Sequence, residues 1–160
     1  MPIDPDLDTQ VDNEEVKCIQ KWLKDSDADL IVSIIKKNKV KKLILANNDL
    51  AEEAAKKIAE AMWENTSITF LSLANNKFSD AGCLEFTTVL EKNTTMQQLM
   101  LCGNKASVET CDVLWAANDK REKPLTENLY GLVVDHKSPK LREREAEKAA
   151  EKKNNKKKLM

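Results

Sequence analysis

Four cysteines, one histidine and one tyrosine are what this 160-residue chain offers for nucleophilic, metal or acid–base chemistry. Cys83 and Cys111 stand 28 residues apart, but there is no C-x-x-C and no second cluster of ligands, so a tetrahedral metal site is not marked out. The pair reads instead as buried small hydrophobes, and Cys18 and Cys102 add no pattern. His136 follows Asp135, yet no motif places a serine or cysteine nucleophile beside it, and a surface histidine is the expectation. Three glycines leave little for a phosphate loop. The chain is therefore expected not to be an enzyme, with no catalytic, cofactor or metal site. Asn65-Thr66-Ser67 and Asn93-Thr94-Thr95 have the form of glycosylation acceptors, but they too are 28 residues apart.

That interval belongs to a repeat. V-K-K-L-I-L-A-N-N at 40–48, I-T-F-L-S-L-A-N-N at 68–76 and M-Q-Q-L-M-L-C-G-N at 96–104 agree position by position, as L-x-x-L-x-L-x-x-N-x-L. Leu43, Leu71 and Leu99 correspond, as do Leu45, Leu73 and Leu101, then Asn48, Asn76 and Asn104. A period of two sends the leucines to one face of a strand and the residues between them to the other. The second half of each unit switches to helical spacing, with Ala54, Ala55, Ile58, Ala61 and Met62 in the first and Gly82, Cys83, Phe86, Val89 and Leu90 in the second. Ser79 and Ser107 are placed as helix N-caps. An asparagine recurring at this fixed place is expected to bond backbone groups of its own and the next coil, so that the three form a ladder; ordinary turn chemistry is the other reading, which the fixed spacing disfavours.

The predicted fold class is α/β: a short solenoid with parallel strands on its concave side, helices on its convex side and a helical N-terminal cap. Val16, Ile19, Leu23, Leu30, Ile31, Ile34 and Ile35 have helical spacing, with Ser26-x-x-Asp29 as a capping pattern, and assign residues 16–39 to that cap. Full repeats span 40–67, 68–95 and 96–123. Leu129-x-x-Leu132-x-Val134 restores the strand pattern in a truncated repeat at 124–136. The repeat domain, 16–136, lies between an acidic arm, 1–15, with six acids and no base, and a basic tail, 137–160, with ten Lys/Arg against four Glu. The tail's opposite charges recur three apart, which predicts an exposed helix fraying after Glu151. Such a tail either aids solubility or binds an acidic surface such as tubulin, nucleic acid or the molecule's own arm.

At 33% charged and 41% hydrophobic residues the composition is that of a soluble globular chain. Neither a secretory signal nor a membrane-spanning run can be drawn, and a cytoplasmic protein is expected.

The concave face is predicted to carry Lys42, Ile44, Phe70, Ser72, Gln98, Met100 and Val133, with Phe70, Ile44 and Met100 as apolar anchors and Lys42 and Gln98 at the rim. Apolar groups on a face the fold does not need to bury point to a protein partner or to cover by the protein's own tail. Nucleic acid is not expected there, because bases are nearly absent. The three tryptophans fall among the helices and the cap, where packing along the helical layer accounts for them. Trp63 is a secondary, convex-side candidate, since its counterparts Glu91 and Asp119 are charged; cover over neighbouring alanines is the other reading.

The strand–turn motif and the 28-residue length resemble leucine-rich repeat proteins of the ribonuclease-inhibitor type over residues 16–136. The stretch 64–76, E-N-T-S-I-T-F-L-S-L-A-N-N, is similar to the repeats of the tropomodulin C-terminal domain. These resemblances imply binding rather than catalysis: an interaction module, a subunit of a larger assembly or a monomer, or a component of the cytoskeleton in the actin or axonemal sense. A GTPase-activating role is also found in such proteins, but no arginine here can be placed on a strand-to-helix loop to serve it.

Overall fold

A computed structural model describes residues 14–126 and 131–159; most of the acidic arm, Leu129 and Tyr130 lie outside them. Strands Glu15–Lys17 (β1), Lys42–Ile44 (β2), Phe70–Ser72 (β3), Gln98–Met100 (β4) and Leu132–Val133 (β5) form one parallel sheet in chain order. Helices Ala28–Lys36 (α1), Glu52–Met62 (α2), Asp80–Lys92 (α3) and Val108–Asp119 (α4) each follow a strand, and Pro139–Lys158 (α5) ends the chain. The register runs straight across the sheet: Val16 faces Leu43, Leu43 faces Leu71, Leu71 faces Leu99 and Leu99 faces Leu132. All five are buried, together with Leu45, Leu73 and Leu101 and the helical residues Ala54, Ile58, Phe86, Val89 and Leu114. Burying an aliphatic side chain of this size contributes about 1.5–3 kcal/mol, which makes this row the spine of the stack.

The first coil departs from expectation. Val16 does not begin a helix: it is the central residue of β1, and Cys18 donates its N–H to the Ile44 carbonyl at 2.8 Å. Three strand residues are too few to show a period of two, so Val16, Ile19 and Leu23 mimic helical spacing by accident. Ile19 is exposed and Leu23 is buried in the following loop. Ser26 is not the cap either; it lies inside a 3-10 turn, Asp25–Asp27, where Asp27 accepts the Lys24 N–H at 2.8 Å.

Polar columns run through the stack at right angles to the strands. Asn48 donates to the carbonyls of Cys18 and Leu45 and accepts from the N–H groups of Lys21 and Leu23. Asn76 repeats this one coil on, donating to Leu45 and Leu73 at 3.0 Å each and accepting from Leu50 at 3.2 Å. Asn104 donates to Leu73 and Leu101 and accepts from Phe78. A second column lies where helix returns to strand. Asn93 donates to Met62 and Asn65 carbonyls while accepting from Thr95 and Met96, and Asn65 donates to the Ile35 carbonyl. Both asparagines are buried, so the repeat occupies the amides that a glycan would need. At the next position, 28 residues on, Arg121 takes over, its Nη1 donating to Leu90 at 2.6 Å and Asn93 at 2.8 Å.

Acidic side chains tie the helix starts together. Asp25 accepts from Ala51 N–H at 2.7 Å, Glu52 from Ser79 at 2.8 Å and Asp80 from Ser107 at 2.6 Å. Ser107 caps its helix by accepting from Thr110, whereas the Ser79 side chain makes no cap bond. The bonds to Ser79 hold the Glu52 carboxyl below its ordinary range, and the Ser107 N–H does the same for Asp80.

α5 runs unbroken to Lys158, past Glu151 where fraying was expected. Ser138 caps its start by accepting from Leu141, Pro139 occupies the first turn, and Lys156, Lys157 and Lys158 sit at the negative end of the helix dipole. Lys140 pairs with Asp119 at 2.9 Å and Arg142 with Asp112, which fastens the first turns to α4. None of its described residues is buried. No described helix is long and apolar enough to cross a membrane.

Candidate functional site

On the side of the sheet away from the leucines, two rows follow from the register. One comprises Glu15, Lys42, Phe70 and Gln98; the other comprises Lys17, Ile44, Ser72, Met100 and Val133. Ile44, Phe70, Met100 and Val133 are half-buried, and Lys42 is exposed. Two members differ from their expected setting. Gln98 was placed at the rim, yet only 7% of it is exposed, with Phe70 standing beside it in the row. Ser72, at 3%, lies between the larger Ile44 and Met100. Both are floor, and the four half-buried apolar residues reach solvent together with the exposed Lys17 and Lys42.

Asp135, one turn beyond β5, plays a part that spacing alone could not reveal. In the preceding coils Gln20, Asn47 and Asn75 donate their N–H groups to the carbonyls of Ala46, Ala74 and Cys102. In the coil of β5 a side chain takes that place: the Asp135 carboxylate accepts the Gly103 N–H at 2.9 Å. His136 next to it lends its carbonyl to the Trp115 indole N–H, also at 2.9 Å.

The tryptophans part company. Trp115 is buried at the end of the core. Trp63 is 37% exposed on the helical side, and Lys92 Nζ sits 4.8 Å from its ring centre. Such a cation over an exposed ring contributes about 0.5–1 kcal/mol, so part of this surface is already covered from within. Trp22 was expected to pack beside the helices, and it does not: 73% of it is exposed on the turn after β1.

Burial raises the pKa of Cys18, Cys83, Cys102 and Cys111, that of Cys83 to about 12, and so disfavours their thiolates. Among the described residues no group of three His, Cys, Asp or Glu could hold a metal ion.

Stacked strand–turn–helix coils around an asparagine ladder define a leucine-rich-repeat-like α/β solenoid. Among solved structures, leiomodin-1 actin-binding site 2 shares this fold, with a TM-score of 0.70 and 18% sequence identity over 99% of this chain and 98% of that one. It agrees with the tropomodulin-type resemblance of residues 64–76, not with the ribonuclease-inhibitor type, and at this identity it shows the fold alone. No family model matches the chain, and a search of curated proteins returned no match.

Proposed function

We propose that this chain is a non-enzymatic protein-interaction module of the cytoplasm, with a protein partner seated on the sheet face opposite the core. The observation that carries the reading is the run of half-buried apolar side chains, Ile44, Phe70, Met100 and Val133, on a face the solenoid does not need to cover. A few well-packed central side chains usually supply most of an interface's affinity, and Phe70 is the largest here. The fold shared with an actin-binding domain supports a cytoskeletal partner.

Co-sedimentation with actin filaments tests it. The full chain should pellet with filaments, Phe70→Ala should weaken the association more than tenfold, and Lys42→Ala should change it little. Because Phe70 lies away from the Leu71 row, its removal should leave the unfolding midpoint nearly unchanged. Loss of folding would contradict the assigned face; unaltered binding to every partner would remove this face as the working surface.

A second reading concerns α5, whose last seven helical residues carry five lysines and no acid. An acidic surface such as tubulin would be held through these charges, and the attraction should fall with salt because the Debye length shrinks from about 10 Å at 0.1 M to about 3 Å at 1 M. Cutting the chain after Glu145 keeps the pairs of Lys140 and Arg142 with α4 and removes the lysines. Binding that survives both the cut and high salt would leave the tail a solubility segment.

A further inference from the structure

Gln20, Asn47, Asn75 and Gly103 occupy one register position in four successive coils, and all four have positive φ, between 54° and 72°. Glycine and asparagine suit that left-handed backbone; glutamine does not. Two residues after Gln20, Trp22 has the same conformation, with φ at 59°. For a bulky aromatic side chain this is an outlier that the surroundings must impose, and outliers of this kind concentrate at functional sites. Asn48 imposes it: its Oδ1 accepts the N–H groups of Lys21 at 3.0 Å and Leu23 at 3.2 Å, clamping the chain on both sides of Trp22. The ring is thereby held out in solvent rather than folded onto the helices.

Gln20, Trp22, Asn47 and Asn75 line an open cleft of about 630 Å³. Their backbone N–H groups at positions 20, 47 and 75 are engaged inside the stack, but the three side-chain amides make no hydrogen bond among the described residues, and neither does the indole N–H. Among the described residues no charged side chain lines the cleft. Phosphates and carboxylates would find no counter-charge there. A carboxamide offers one acceptor and two donors, which complements the C=O and N–H of a peptide group. Adjacent coils lie about 4.8 Å apart, so the column is about 10 Å long, the reach of roughly three extended residues. Trp22 at its end offers a flat apolar surface for a side chain.

We infer that the column Gln20–Asn47–Asn75, with Trp22, docks an uncharged, extended polypeptide segment of a partner protein. The carboxamides bond its backbone and the indole covers one of its apolar side chains. This rests on the reading of the chain as a protein-binding module, but it uses the turn edge and not the sheet face.

The experiment pans a display library of uncharged random peptides against the full chain, then titrates synthetic versions of the enriched sequences into protein labelled with 5-fluorotryptophan. The Trp22 fluorine resonance should shift while those of Trp63 and Trp115 stay in place. Trp22→Ala should weaken binding at least about tenfold, and Phe70→Ala should leave it unchanged. Asn47→Gly and Asn75→Gly keep the left-handed backbone as Gly103 does, so a several-fold loss in each, with an unchanged unfolding midpoint, reports the amide itself. Enrichment of no peptide that depends on Trp22, or a response at Trp63 alone, would overturn the inference. Binding of a neutral oligosaccharide such as cellohexaose, with none of peptides, would overturn its polypeptide ligand. Peptides lost with Phe70→Ala but not with Trp22→Ala would overturn it too and leave the sheet-face reading standing.

Discussion

Asn75 and Asn76 are neighbours in the chain and opposites in the molecule. Asn76 turns inward, is buried, and uses both ends of its amide on backbone groups of two coils. Asn75 is exposed; its Oδ1 lies against Gly103 of the next coil, and its amide hydrogen-bonds nothing among the described residues. One coil earlier Asn48 is likewise buried and Asn47 exposed. A buried polar group without a partner costs about 1–3 kcal/mol, so the inner column cannot change without loss of the stack. The outer column carries no such penalty, because water replaces any partner. One dipeptide thus supplies a structural rung and, beside it, a side chain free to serve a ligand.

Leu73→Ala sets the scale for this comparison: removing a wholly buried leucine should lower stability by about 2–5 kcal/mol in urea unfolding. Asn76→Ala should come next, at about 3 kcal/mol, since it strands the carbonyls of Leu45 and Leu73 and the N–H of Leu50. A neutral result at Asn76 would break the contrast outright. Arg121→Ala should cost about 2 kcal/mol by freeing the carbonyls of Leu90, Asn93 and Met96, and Arg121→Lys should not rescue it, because an ammonium lacks the planar fork that reaches all three.

A smaller effect should follow pH. Glu52 and Asp80 are held below their ordinary pKa values in the folded chain, so each contributes stability that is complete above the unfolded value, near pH 4–5, and lost as pH falls through the folded one. The double variant Glu52→Gln, Asp80→Asn should therefore show a shallower loss of stability between about pH 5 and pH 3 than the parent chain. Equal slopes would mean that the links between helix starts do not persist in solution. Smallest of all, Asn75→Gly should stay within about 0.5 kcal/mol of the parent, which is the outer column's half of the comparison.

The sheet and its inner ladder were legible because each demands a residue type at a fixed interval: leucine where the strand faces the helices, asparagine where two coils meet. Breaks in the interval hid the rest. Arg121 does the work of Asn93 with another side chain, and Asp135 stands in for a carbonyl, so neither could be found by matching letters. Gln98 and Ser72 alternate correctly with the leucines, but their burial depends on which neighbours stand beside them across the sheet.

By itself, the sequence determined the repeat, the inward leucines and the buried asparagines, since a three-fold recurrence leaves one arrangement that buries the apolar set and pairs its backbone. Only the tertiary structure decided that Val16 opens the sheet, that Trp22 stands in solvent and that α5 continues to Lys158. The first two depend on groups more than 20 residues away, Leu43 pairing with Val16 and Asn48 gripping the chain around Trp22, and no local spacing records a contact of that range.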